Sequence, residues 1–323
     1  MLPWPVSARF FVALLMALSG TAALAQQYPS KPIRFILPYL PSGPNDLIAR
    51  MLAKGMTETW GQPVVVESRA GAQGNIGMDL VAKSPPDGFT IVQATGFTLT
   101  VNPFIYKLPY DVLKDFAPIS LLVSSAAVLV VAPSLPVKNV TDLVRLARSR
   151  PKELTYGSAG NGGFGHVSGV MLQMLTKTQM THVPYKSSAP ALIDVASGNI
   201  SFLFNNVITT VPFIETGRVR AIAVSSRERS PALPDVPTVS ESGVLGYEST
   251  TWNALLAPAG TPANVISTLN SEVVRILNSQ EMRERIGAGG AVTPSTPAQL
   301  TAKIKEEMSR MSEVIKFSGL TAE

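Results

Sequence analysis

The sequence predicts an α/β protein folded as two lobes. Three observations carry that prediction. Short apolar strand segments alternate with amphipathic helix segments in two successive βαβ blocks. The 323-residue chain is longer than one hydrophobic core usually serves. The C-terminal third changes character, to long helices with strong start signals.

The first element is a leader. Arg9 is the only charge in the first thirty residues, Phe10 to Leu18 is a short apolar run, and Ala23-Leu24-Ala25 is a small-residue cleavage site. Residues 1–25 therefore read as a secretory signal peptide cut before Gln26, since the run is too short to span a bilayer. The mature chain is expected to be exported, soluble and free of the membrane.

Ile33 to Tyr39 reads as a strand, and Asn45-Asp46 as the cap of a helix whose core face carries Leu47, Met51 and Leu52. Val64 to Glu67 is the next strand. A helix through Ile76, Leu80 and Val81 follows Gly71 to Gly74, and Phe89 to Ala94 is a third strand. This βαβαβ order implies parallel strands with right-handed crossovers. A second block repeats it with strand Val128 to Ala132, helix Thr141 to Ser149, strand Leu154 to Gly157 and helix Gly165 to Thr176. Strand His182 to Tyr185, helix Ala189 to Ser197, and strands Ile200 to Asn205 and Val219 to Ser225 complete it.

Beyond this block, Thr261-Pro262 and Thr296-Pro297 each read as an N-cap followed by a proline at the first helical position. The last helix carries a stripe of Leu300, Ile304, Met308, Met311 and Ile315, with Lys303, Lys305, Glu306, Glu307 and Arg310 on a solvated face. Lobe 1 is expected to comprise 26–124 plus 250–323, and lobe 2 to comprise 125–249. The chain would cross between separate sheets at Leu121 to Pro133 and Ser249 to Ala257.

Composition excludes several chemistries. With no cysteine there are no disulfides, thiol nucleophiles, thiolate metal sites or N-terminal lipid attachment. Only His166 and His182 are available as imidazole ligands, so no metal site and no cofactor is expected. Removing the leader leaves 26 basic against 22 acidic residues, scattered rather than clustered, which attracts anions mildly and makes no nucleic-acid face.

Four helices follow Gly-, Ser- or Asn-rich turns at the carboxyl ends of strands: Pro41 to Asn45, Gly71 to Asn75, Ser158 to Gly163, and Lys186 to Ala189. Ligands of open α/β sheets bind at that edge. Free N–H groups at a helix start carry partial positive charge, and small residues let a ligand approach them. Two such turns in each half make a cradle for a carboxylate or phosphate, without paired arginines for bidentate clamping. Enzymatic patterns are missing. Gly71, Gly74 and Gly77 do not form G-x-G-x-x-G, and neither a phosphate-loop lysine motif nor a G-x-S-x-G elbow occurs. His166 lies near Ser158 and Ser168 without an orienting acid, so no catalytic residue is assigned. His182, inside a strand, reads as structural.

The segments R-F-I-L-P-Y-L-P-S-G-P-N-D-L-I-A-R, G-A-Q-G-N-I-G, P-D-G-F-T, L-T-Y-G-S-A-G-N-G, H-V-P-Y-K-S-S-A-P-A-L and R-S-P-A-L-P-D-V-P-T-V-S-E-S-G resemble the Bug family. These are the periplasmic solute-binding proteins of tripartite tricarboxylate transporters, and the resemblance runs through the mature chain in order. It implies a two-lobed type II periplasmic-binding-protein fold, with the ligand clamped between lobes. It further implies a periplasmic, non-enzymatic monomer that takes small organic acids, di- or tricarboxylates or aromatic carboxylates, through main-chain groups and waters. The membrane subunits of such a transporter would be its partners, with no nucleic acid involved.

The candidate ligand-binding residues are Ser42, Gly43, Asn45, Asp46, Ala72, Gln73, Asn75, Ser158, Ala159, Asn161, Gly162, His166, Tyr185, Ser187, Ser188, Ala189 and Asn205. Several depart from the family pattern. Ser42 replaces the second residue of P-G-G, Gln73 replaces a glycine of N-R-P-G-A-G-G, Ser187 replaces the glycine of V-P-Y-K-G, and Asn205 replaces the acid of F-D. The last change suits a purely anionic ligand over one with an amino group, unless Asn205 only caps a turn with Asn206. Two further roles stay open: a ligand-sensing accessory to a two-component system, and an exported enzyme.

Overall fold

One long strand organises the molecule. The computed structural model describes residues 28–41, 44–287 and 290–321. Residues 1–25, expected as a signal peptide, and the Ser42-Gly43 pair lie outside them. The first block is β1 (Ile33–Leu37), α1 (Pro44–Trp60), β2 (Val64–Ser68), a single 3-10 turn at Ala72–Gly74, α2 (Asn75–Ala82) and β3 (Thr90–Thr95). Two short helices, α3 (Gly96–Thr100) and α4 (Asn102–Ile105), lead towards β4 (Phe116–Val131). β1 pairs in parallel with both β2 and β3, as the βαβ order requires.

β4 is sixteen residues long. Up to Ala126 it runs antiparallel to β9 (Thr250–Pro258), with register shifts at Pro118/Ser120 and Leu121/Val123. From Ala127 onward it pairs with β7 (Phe202–Asn206) and β8 (Arg220–Val224) instead. The second block is α5 (Val140–Ser149), β5 (Thr155–Ser158), α6 (Phe164–Thr176), β6 (Thr181–Pro184), α7 (Ser188–Ala196), β7, α8 (Val207–Glu215) and β8. β5 lies between β6 and β7, parallel to both. The hydrogen-bonded path therefore reads β2-β1-β3-β9-β4-β7-β5-β6 without a break, where separate sheets were expected. A single uncharged run of sixteen residues, long enough to serve both ladders, joins them.

The C-terminal segment returns to the first block through α9 (Ala263–Leu277), α10 (Gln280–Ile286), β10 (Ala291–Val292, paired with β4) and α11 (Pro297–Ser318). Distinct cores form on each ladder. Ile33, Phe35, Leu52, Met56, Leu255 and Leu269 belong to one, and Leu129, Leu143, Tyr156, Leu172 and Phe202 to another. Among the described residues no helix is long and apolar enough to cross a membrane.

Several sequence expectations need correction. Pro44 is already helical, so Asn45 and Asp46 sit inside the first turn of α1 and are not its cap. The buried stripe is Ile48, Ala49, Leu52, Ala53 and Met56, while Leu47 is exposed. Both stripes have helical period, and the two alanines let the second lie closer to the sheet. In α2 the buried residues are Asn75, Gly77, Met78 and Val81, with Ile76 exposed. Asn75 turns this helix inward, because its Oδ1 accepts from Asn102 Nδ2 at 2.8 Å and from the Tyr110 hydroxyl at 2.9 Å.

Thr261 does not cap α9; its hydroxyl donates back to the Pro258 carbonyl at 2.8 Å, and Pro262 precedes the first helical residue. Thr296 does cap α11, with Gln299 completing a reciprocal capping box. Glu307 is not on the solvated face. It is buried against Trp252, whose Nε1 donates to its Oε2 at 2.7 Å. Lys303 and Arg310 flank it at 3.6 and 3.9 Å, yet burial still holds its carboxyl above the ordinary range.

Candidate functional site

The two ladders flank a cavity of about 930 Å³. From the first block it is lined by Asn45, Leu47 and Ile48 of α1, by Gln73, and by Thr95 to Thr98 at the start of α3. From the second come Ala159, Asn161, Gly162, Gly163 and Phe164 ahead of and within α6, with Asn206, Ile208 and Thr209 around the start of α8. Ser125 of β4 and Thr251, Trp252 and Asn253 of β9 line it as well. Five helix starts thus face one space, at the carboxyl ends of parallel strands.

The turn before α2 is strained. Gly71, Ala72, Gln73 and Gly74 all have positive φ, of 136°, 46°, 55° and 94°. Ala72 and Gln73 hold a left-handed conformation disfavoured for residues with a Cβ. The Gln73 carbonyl, accepting from Thr98 Oγ1 at 3.3 Å and Asn102 Nδ2 at 3.1 Å, fixes the turn. Its side chain is left on the cavity wall.

Tyr39 anchors the next start. Its hydroxyl donates to Thr95 Oγ1 at 3.1 Å, accepts from Thr95 N at 2.8 Å and lies 2.8 Å from Thr98 Oγ1. Burial raises its pKa, so the phenol stays protonated. The Thr95 side chain accepts from Thr98 N and caps α3. Gly96 lies so close to Trp252 that a Cβ there would come within 2.5 Å of the indole.

On the facing side, Ser158 Oγ donates to the Gly160 carbonyl at 2.8 Å and lies 2.7 Å from His182 Nε2. Because the serine has one proton, His182 Nε2–H must be the donor of the second bond. His166 Nδ1 accepts from Gly162 N at 3.1 Å, and the two imidazoles stack with centroids 3.6 Å apart. Burial pushes both down to about 4, and the His166 charge further disfavours protonation of His182. Both rings are therefore neutral at pH 7, and they brace the loop from behind.

The structure brings five nominated residues onto the cavity wall: Asn45, Gln73, Ala159, Asn161 and Gly162. Ser42 and Gly43 lie outside the described residues. The others are placed elsewhere. Asp46 pairs with Arg50 at 2.9 Å, Asn75 is buried in its hydrogen bonds, and Ser158 and His166 support the loop. Ala72 forms the strained turn without lining the cavity. Asn205 Nδ2 donates to Thr210 Oγ1 at 2.9 Å, behind the wall, while Asn206 accepts from Ile208 N to cap α8. Tyr185 donates to Asp194 Oδ2 at 2.6 Å, and Ser187, Ser188 and Ala189 start α7 off the lining.

Sequence reasoning missed the Thr95-Gly96-Phe97-Thr98 start, although a capping threonine and a glycine directly after a strand were a readable signal. It also missed Asn253 and Arg285, which reach the wall from the C-terminal segment and carry no local mark. Asn253 Oδ1 is buried without a hydrogen-bond partner. Arg285 is the only Lys, Arg, Asp or Glu among the described lining residues. Among the described residues no group of His, Asp and Glu could hold a metal ion.

Helix starts converging from two α/β lobes on a shared cavity define a two-lobed solute-binding protein of the periplasmic type. The chain belongs to the tripartite tricarboxylate transporter receptor family, TctC, whose model matches residues 48–320. It is 34% identical to Protein BugT of Bordetella pertussis, over 95% of this chain and 96% of that one. Rpa4515 of R. palustris, solved with adipate, is 34% identical with a TM-score of 0.72, covering 91% of this chain and 99% of the other. MatC from Rhodopseudomonas palustris, solved with bound malate, is 31% identical with a TM-score of 0.70, covering 89% of this chain and 100% of the other.

Proposed function

We propose that the protein is exported through its leader to the periplasm, captures a small organic acid between its lobes, and delivers it to the membrane subunits of a tripartite tricarboxylate transporter. The observation that carries this reading is the cavity wall: five helix starts, neutral hydrogen-bonding side chains, and no acidic residue among the described lining. Such a wall stabilises an anion through fixed partial charges and repels it nowhere. Adipate and malate in two relatives favour a carboxylate over a phosphate.

The first contacts proposed are Asn45, Gln73, Asn161 and the main chain of Ala159 and Gly162, with Ser187 and Ser188 joining as the lobes close; Ser42 and Gly43 are proposed on the sequence alone. Lobe 1 is taken as 26–124 plus 250–323 and lobe 2 as 125–249.

Thermal shift with a panel of di-, tri- and aromatic carboxylates, each beside its neutral amide, tests the reading. A bound acid at a hundred times its Kd adds about 2.7 kcal/mol of stability. Equal stabilisation by the amides, or turnover of any acid, overturns it.

A further inference from the structure

We propose that Asn161-Gly162 is a site of self-modification: the Gly162 backbone nitrogen displaces the Asn161 amide, and the acid left behind closes the cavity to anions. The loss of binding rests on the receptor reading above; the modification itself does not.

Asn161-Gly162 is the one Asn-Gly pair in the sequence. It lies in the loop between β5 and α6 and lines the cavity, with Asn161 exposed to water. Attack on an asparagine side chain by the next residue's nitrogen closes a five-membered ring. The approach is least crowded where that next residue has no Cβ. Gly160 and Gly162 have positive φ, of 110° and 68°, and Gly163 follows, so the loop is built of residues that turn at little cost.

The Gly162 N–H also points at a base, because His166 Nδ1 accepts it at 3.1 Å. That ring keeps a lone pair there, since stacking on His182 with centroids 3.6 Å apart disfavours a charge on either imidazole. An N–H bond lies in the peptide plane, so the π electrons of the same nitrogen, perpendicular to it, are left to attack. The two Asn-Ser pairs make the comparison. Ser271 N lies within the α9 ladder, and Ser279 N donates to the Ile276 carbonyl at 3.0 Å. A carbonyl does not take up the proton, whereas an imidazole does.

In the reaction the Gly162 N–Cγ bond forms and the Asn161 Cγ–Nδ2 bond breaks. The Gly162 proton passes through His166 Nδ1 to the departing nitrogen, which leaves as ammonia. Water then opens the ring at either carbonyl, giving aspartate or isoaspartate. The sum is amide plus water to acid plus ammonia, with no redox change. The product puts a negative charge on a wall whose described residues include no Asp or Glu, against the anion that the helix starts attract. The isoaspartate form also adds a carbon to the main chain ahead of α6.

Peptide mapping by mass spectrometry tests this on the mature protein, held near neutral pH in buffer and in urea. Asn161 should convert at least as fast folded as unfolded, and faster than Asn270 or Asn278 in the folded protein. His166→Gln should slow Asn161 in the folded state to below its rate in urea, whereas mere loosening of the loop would bring the two rates together. Calorimetry with the best carboxylate should show binding capacity falling in step with conversion, and Asn161→Asp should bind that acid about ten-fold or more weakly. Folded parent protein that converts more slowly than unfolded, or converted protein that binds as fresh protein does, overturns the assignment. Fresh protein that binds no carboxylate overturns the receptor reading and the loss of binding with it, whereas the rates decide the modification without any ligand.

Discussion

Ser158 and Asn161 bear on the α6 start by different routes, and single substitutions separate them. Asn161 lines the cavity, whereas Ser158 ties the Gly160 carbonyl to His182 from behind. Asn161→Ala should cost about 1.5 to 3 kcal/mol of carboxylate binding, the range for hydrogen bonds to a charged partner, and Ser158→Ala should weaken binding indirectly, through the loop it holds. Ser158→Ala should also lower Tm, because it leaves His182 Nε2 without its partner. If calorimetry finds both variants binding the best acid as the parent does, the cradle is misplaced.

The stacked histidines add a pH signature. Their folded values are pushed down to about 4 from 6.5, so between those limits the unfolded chain binds more protons. Their contribution is therefore complete above pH 6.5 and shrinks as pH falls towards 4. Glu307, held above its ordinary value by burial, slopes the other way, so the difference between variants is the quantity to read. Urea titrations from pH 7.5 to 4.5 should show a shallower loss in His182→Gln than in the parent, and parallel curves would remove the histidines from the account.

At the scale of elements, the cap of α11 gives the cleanest measurement. Thr296 and Gln299 satisfy each other's backbone donors at the start of a 22-residue helix that packs its first half on the first block and its last turns on the second. Thr296→Ala should cost about 1 kcal/mol in urea unfolding. An unchanged midpoint would mean the helix is held by its apolar face alone.

That cap was legible in the sequence because it depends on residues three apart. Most helices and the strands before β9 were legible from similarly short-range patterns, as were the turns before α2 and α6, although only the last few residues of β4 were read as strand. Which face a helix buries was not, since Leu47 and Ile48 belong to equally periodic stripes and the sheet decides between them. Glu307 looked solvated because its partner, Trp252, is 55 residues distant in sequence. Of the site, the Gly- and Asn-rich turns were readable. The wall contributed by β9 and α10 was not, because only tertiary folding carries those residues there.

At the scale of the molecule, β4 and β9 are the described strands that carry the chain between the two ladders, and the polar turns are divided across them. A ligand that touches both sides should draw the lobes together about these strands. Small-angle scattering with and without a bound acid should give a smaller radius of gyration in the complex. An unchanged radius, with binding confirmed by calorimetry, would show a rigid cleft.

The same strand order constrains when each part of the chain can fold. β9 inserts between β3 and β4, although it follows them by more than a hundred residues in sequence. The second block, by contrast, runs unbroken from its share of β4 to β8 and pairs its strands through local crossovers. As the chain is extended from its N-terminus, the second block completes its strand pairing early, whereas the first sheet stays open until residue 258 is available. The half that begins the chain is thus the half that finishes last, and its unpaired β3 edge is what the nascent chain must keep from pairing with a neighbour.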